Sequence, residues 1–192
     1  RLAGPLDSLS IPNTLQDSLI TRLDRLGQAK DVAQLASVIG RHFTWKLLRA
    51  VSPFEEDVLR EDLKQLIDSE LVFQRGRFPN ARFLFKHALV QDISYESMLR
   101  KDRQDWHGRI ADTLLSDFEE TAQSEPELIA RHFTEAGRHA EAIDWWSKAG
   151  VKAQEQCANT EAVSHFEQAI ALIEKLDEPL PAPAEFQLRM AY

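Results

Sequence analysis

Lys86 and His87 stand inside the run FLFKHALVQDISYESML (83–99), at the point where its hydrophobic period changes. Phe83 and Phe85 alternate as on a strand with one buried face, whereas Leu89, Ile93 and Leu99 keep a helical spacing. A lysine and an imidazole therefore fall on a strand-to-helix joint. A histidine there can pack, catalyse or touch a ligand, and its residue type alone leaves these open.

The remaining candidates for chemistry are sparse. His132 and His139 are seven apart, but Gly137 lies between them, so they read as ordinary helix-surface histidines and not as a metal pair. Glu55–Glu56 and Glu119–Glu120 read as solvated faces, because paired carboxylates alone do not nominate an acid and a base. None of the seven glycines is followed by lysine, so there is no GxxxxGK[ST] phosphate loop, and HExxH, GxSxG and paired cysteines are missing too. No catalytic or metal residue is expected. Trp145 and Trp146 are adjacent and point about 100° apart on a helix. Trp146 is expected in a core, while Trp145 either covers a second helix junction or forms a partner-binding surface.

The elements that would position these residues follow from composition and pattern. The 192 residues are 43% hydrophobic, enough for one good core or two small ones. The single cysteine, Cys157, permits no internal disulfide and points to a reducing, cytoplasmic setting. No apolar run approaches the roughly 20 residues that span a bilayer, so no membrane contact is expected. With no initiator Met and no apolar leader, the chain reads as a fragment of a longer protein.

Leu15, Leu19, Leu23 and Leu26 form a stripe that ends at Gly27, and Val32, Leu35, Ala36 and Ile39 form a second that Gly40 stops. A short helix over Trp45 to Val51 can take Thr44 as its cap. In SPFE, Ser52, Pro53 and Glu55 predict a capping box for a fourth helix that buries Leu59, Leu63, Leu66 and Ile67. LVFQRGRFPNARFLFK then reads as a β-hairpin. Three helices followed by a hairpin is the order of a winged-helix domain.

Beyond Tyr95 the pattern is helical. Trp106, Ile110, Leu114 and Phe118 line one face, and Ser124 with Glu127 predicts another capping box around Pro126. Ala142, Trp146 and Ala149 are echoed by Ala162, Phe166 and Ala169, a small–aromatic–small face suited to close helix stacking, as in tetratricopeptide (TPR) repeats. Ala130 and Phe133 fit the first helix of such a unit. The echoes are 20 residues apart and not 34, so neighbouring units would share a helix around residues 140 to 157. Pro179, Pro181 and Pro183 break the pattern, and FQLRMAY reads as the start of a further helix.

The fold class expected is mainly α: a winged-helix domain with a small β-hairpin, followed by a TPR-like antiparallel helical array. The divisions are an entry linker and helix (1–27), the winged helix (28–90), the array (91–178) and a Pro-rich linker (179–192).

Charge bears on partners. The net charge is −8, which opposes long-range attraction to nucleic acid or anionic membrane. The hairpin carries Arg75, Arg77, Arg82 and Lys86 with no acid between them. The helix that would enter a major groove carries seven acids over 55–70 against Arg60 and Lys64, a balance of −5. A phosphate-lined groove would repel it, so sequence-specific DNA binding is not expected.

In combination, IPNTLQDSLITRLDRL (11–26), AQLASVIGRHF (33–43), FLFKHALVQDISYESML (83–99) and ARHFTEAGRHAEAIDWWSKAG (130–150) resemble the segment downstream of the ATPase module in bacterial STAND-class signalling ATPases. Those proteins join a P-loop ATPase to a cyclase-type or a LuxR-type DNA-binding domain. The resemblance spans residues 11 to 176. It implies a non-catalytic regulatory fragment whose partners are the upstream ATPase domain and a protein or small ligand of the helical array. No cofactor belongs to the fragment, and ATP or ADP belongs to the parent chain. In related proteins a histidine at the corresponding joint contacts the phosphates of bound ADP, and His87 is the residue that matches. An imidazole donor and a helix start both suit a phosphate oxygen. The family motif has an acid directly after the histidine, whereas Ala88 follows here and Asp92 lies five residues on. Two alternatives stand beside this expectation: a DNA-binding transcription module, and a protein-binding scaffold with no nucleotide role.

Overall fold

The computed structural model describes residues 13–176; the break expected at Pro179, Pro181 and Pro183 and the helix start expected in FQLRMAY lie outside them. The fold is mainly helical, with a small antiparallel sheet. The chain divides into two compact units after Met98, not at residue 90, because the helix that follows the joint packs with the first unit.

In the first unit, α1 (Asn13–Asp24) buries Leu19 and Leu23 of its predicted stripe but ends before Leu26, which is half-buried beyond it, and α2 (Gln28–Ile39) buries Val32, Leu35, Ala36 and Ile39 as predicted. Helix α2 is buried nearly all round, from Ala29 through Ile39, and forms the centre of this unit's core. It ends where Gly40 takes φ +145, a conformation that side-chain-bearing residues rarely adopt. Next come β1 (His42–Thr44) and α3 (Trp45–Val51). Thr44 caps α3 as expected, its Oγ1 accepting from the Leu47 N–H at 3.2 Å.

The predicted capping box does not form. Ser52 closes α3, its N–H donating to the Leu48 carbonyl, so α4 (Glu56–Asp68) begins later, with Glu55 at its N-cap and no side-chain cap bond. The Ser52 hydroxyl accepts instead from the Phe54 N–H at 3.1 Å. Leu59, Leu63 and Leu66 are buried, but Ile67 is only partly so, and Asp62 takes a place in the core face.

The hairpin is present as β2 (Val72–Arg75) and β3 (Arg82–Phe85). It is not alone: β1 pairs with the other edge of β3, giving the order β1-β3-β2, all antiparallel. A three-residue strand is too short to show a period, which is why the sequence pattern missed it. The inner face gathers Phe43, Phe83 and Phe85, with Phe43 stacked on Phe83 at 5.3 Å. Trp45 and Phe78 meet edge to face at 4.7 Å, and the Arg60 guanidinium lies over both rings. Helix α5 (Ala88–Glu96) follows the sheet.

The second unit is a run of helices: α6 (Arg100–Asp117), α7 (Glu119–Ser124), α8 (Pro126–Ala136), α9 (His139–Glu155) and α10 (Asn159–Ile173). Ile110 and Leu114 are buried as the stripe predicts, while Trp106 is half-buried and Phe118 lies just past the helix. The second capping box also fails, because Ser124 terminates α7 and donates to the Thr121 carbonyl at 3.2 Å. Pro126 does occupy the first turn of α8. Helix α9 packs against both α8 and α10. Ala130, Phe133, Ala142, Ala149, Ala162, Phe166 and Ala169 are buried, while Trp146, the aromatic of the first small–aromatic–small face, is only half-buried.

Candidate functional site

The joint around His87 is held from several sides. Strand β3 is paired along both edges, and the Lys86 N–H donates to the Leu71 carbonyl at 2.9 Å. The Lys86 ammonium pairs with Glu70 at 3.1 Å and lies 5.4 Å from the centre of the Phe73 ring. Helix α5 buries Val90 and Ile93, and two amide side chains fasten it to α2: Gln91 Nε2 donates to the Ser37 carbonyl and Gln34 Nε2 to Ser97 Oγ, at 3.1 and 2.8 Å.

His87 itself is the N-cap residue of α5, with extended backbone (φ −130, ψ 143), and its carbonyl accepts the first helical bond from the Val90 N–H. Its imidazole is exposed and makes no capping bond to the helix start. The first amides of α5 thus have no side-chain acceptor, beside an imidazole directed to solvent and a lysine one residue earlier. Asp92, on the same helix, is exposed. The arrangement can offer donors to an anion. It holds no nucleophile paired to a base.

Trp145 is half-buried, with the Lys148 ammonium 3.9 Å from its ring centre. Trp146 is also half-buried, not fully in the core. Its indole N–H donates to Thr134 Oγ1 at 3.0 Å and its ring stacks on His165 at 5.4 Å. Trp146 and His165 line an open groove of about 420 Å³ that also takes in Glu127 and Arg131.

The histidines differ most from expectation. His132 is not on the helix surface: it is 1% exposed, and its Nδ1 lies 2.8 Å from Nδ1 of His107 on α6. One ring must donate and the other accept, so the pair is bonded only while at least one ring is neutral. Burial pushes His107 down to about 4 and His132 down to about 3, with the nearby positive groups, Arg131 among them, acting in the same direction. His107 follows Trp106 in the sequence, and no motif signals it. His139 is not part of this pair, and its Nδ1 is buried without a hydrogen-bond partner. Among the described residues no group of three His, Cys, Asp or Glu side chains could hold a metal ion.

A second buried titratable group is Asp62 on α4. It is 5% exposed, its Oδ2 has no hydrogen-bond partner, and burial raises its pKa, with Asp31 and Glu61 adding to the effect. No helix among the described residues is long and apolar enough to cross a membrane.

No family model matches the chain. It is similar to an uncharacterized protein of Rhizobium meliloti (strain 1021), 30% identical over 174 residues, an alignment that covers 90% of this chain and 17% of that protein. The chain thus spans under a fifth of the length of the curated relative it matches.

Proposed function

We propose that the chain is the non-catalytic regulatory and protein-interaction part of a multidomain signalling ATPase of cyclase-linked or transcriptional type. In this reading the first unit is a winged helix that restrains the nucleotide switch, and the second is a TPR-like array that senses partners. The observation that carries it is His87: a side chain whose backbone is fixed by a fully paired strand and a docked helix, while its imidazole is exposed and bonded to nothing at the helix start. Such a group suits an anion presented by another domain, here the phosphates of ADP. The order of α2, β1, α3, α4 and the β2–β3 hairpin agrees with the winged-helix expectation, and the packing of α9 on both neighbours agrees with a shared helix in a TPR-like stack. The chain also matches only a small part of a much longer relative, as a module would. Regulation would arise because the two units make different contacts with the ADP-bound and ATP-bound states of the switch.

The test is ADP affinity and dissociation rate in the full-length protein, wild type against His87→Ala. A hydrogen bond to a charged phosphate contributes about 1.5–3 kcal/mol, so affinity should fall about 10- to 100-fold with faster release. Unchanged affinity, with circular dichroism intact, would reduce His87 to a surface residue and favour a scaffold without a nucleotide role.

A further inference from the structure

The outer face of the small sheet carries a feature that neither packing nor the nucleotide-switch reading explains. The register sets Arg75 on β2 directly opposite Arg82 on β3, with Thr44 of β1 beside them. Both arginines are exposed, and among the described residues neither takes part in an ion pair. Cβ atoms of such a cross-strand pair lie about 5 Å apart, and like charges placed there are destabilising. One pair further along the same face, Phe73 stands opposite Leu84, and His42 flanks them. Phe73 is 51% exposed, the most exposed aromatic among the large hydrophobics on the surface. Arg77, in the turn, is exposed as well. Beside Phe73 lies the Lys86 ammonium, 5.4 Å from the ring centre and paired with Glu70 at 3.1 Å, while the three strands themselves carry no acid, although the chain as a whole has a net charge of −8.

We propose that this face binds single-stranded nucleic acid, with Arg75, Arg82 and Arg77 on successive phosphates and a base stacked on Phe73. This goes beyond the nucleotide-switch reading and does not depend on it. Arginines beside an exposed ring are the two parts such binding needs: charge that follows the backbone, and a π-face that accepts any base. Three strands make a strip about 10 Å wide, enough for one strand of nucleic acid. A duplex is disfavoured because stacking on Phe73 needs an unpaired base, which a duplex does not present. An acidic peptide would use the arginines but gains no stacking on the part of the Phe73 ring that stays exposed beside Lys86.

The experiment is fluorescence anisotropy of the 192-residue chain with labelled 15-nucleotide oligo(dT) and oligo(U), a duplex of equal length, and a poly-glutamate competitor. Three phosphate contacts on a single strand give a log–log salt slope of about −2, so affinity should fall about 18-fold between 50 and 200 mM salt. Arg75→Ala/Arg82→Ala should bring the slope to about −0.7 and weaken binding more than tenfold at the lower salt. Phe73→Leu, which keeps an apolar side chain without the π-face, should weaken binding at least about fivefold with the slope unchanged. All three positions are exposed, and melting curves check that the variants stay folded. Oligo(dT) and oligo(U) separate a DNA from an RNA preference, either of which supports the site. Duplex binding as tight as single-strand binding, poly-glutamate competing equally with insensitivity to Phe73→Leu, or no binding at 50 mM salt would each overturn it.

Discussion

Gly150→Ala in α9 sets a local preference against a packing constraint, and the structure says which wins. An alanine Cβ at this position would lie 2.5, 2.6 and 2.8 Å from three carbons of the Phe166 ring. Carbon atoms in favourable contact sit at about 3.5–4.0 Å, so the ring would have to withdraw by about 1 Å. It has little room to do so: Phe166 is 1% exposed and packed with Ala153, Ala162 and Ala158. Replacing glycine inside a helix gains about 1 kcal/mol from propensity. Overpacking a tight core costs about 1–3 kcal/mol, and three simultaneous overlaps onto a rigid ring place this case at the upper end. The net expectation is a loss of about 2 kcal/mol, read as a lower urea midpoint at unchanged slope. Phe166→Leu, harmful alone, should relieve the clash, so the double variant should be more stable than the sum of the two losses predicts. Stabilisation by Gly150→Ala, or strict additivity in the double variant, would refute the claim that the glycine exists to admit the ring.

The buried His107–His132 pair predicts acid sensitivity. Both rings titrate lower in the folded chain than in the unfolded one, so their contribution is fully present above about pH 6.5. It is lost as pH falls toward 4, because the unfolded chain then takes up protons that the folded pair refuses, at up to about 1.4 kcal/mol per pH unit for each ring. Urea titrations at pH 7.5 and 5.0 should show this, and His107→Gln/His132→Gln should flatten the difference; an equal pH dependence in that variant would exclude the pair as its source. Asp62→Asn should raise stability at pH 7 by about 1 kcal/mol, since it removes a charge from a buried, unbonded position beside Asp31. The gain should shrink as pH falls through the range, raised above that of an ordinary aspartate, in which the native carboxyl takes up its proton, and a loss of stability at pH 7 would show that the carboxylate has a partner.

Long stripes were legible because a 3.6-residue period repeated over three turns leaves little choice of buried face. Leu19 and Leu23 in α1, Val32, Leu35, Ala36 and Ile39 in α2 and the Ala162–Phe166–Ala169 face are buried as the pattern predicts, whereas in the other alanine–aromatic face Trp146 is only half-buried. The failures cluster at helix ends. Ser52 and Ser124 both carry the residue types of a capping box, yet each closes the helix before it. A serine between two helical segments can serve either end, and the sequence pattern does not say which.

The site was legible to a different degree for each residue. His87 could be placed on its joint because both flanking patterns are strong, and the structure leaves its imidazole exposed. His132 could not be placed, because its partner His107 comes from another helix, and a pairing across 25 residues leaves no local signal. Its burial could have been read from the helix pattern: Ile129, His132 and Phe133 are spaced for one face, and that face is buried. The outer face of the sheet shows the same limit from the other side. Four basic residues in the hairpin are visible in the sequence, but that Arg75 opposes Arg82 next to an exposed Phe73 follows only from the β2–β3 register. Charge read along the chain gives a sum, whereas a binding surface depends on which charges face each other and what stands between them.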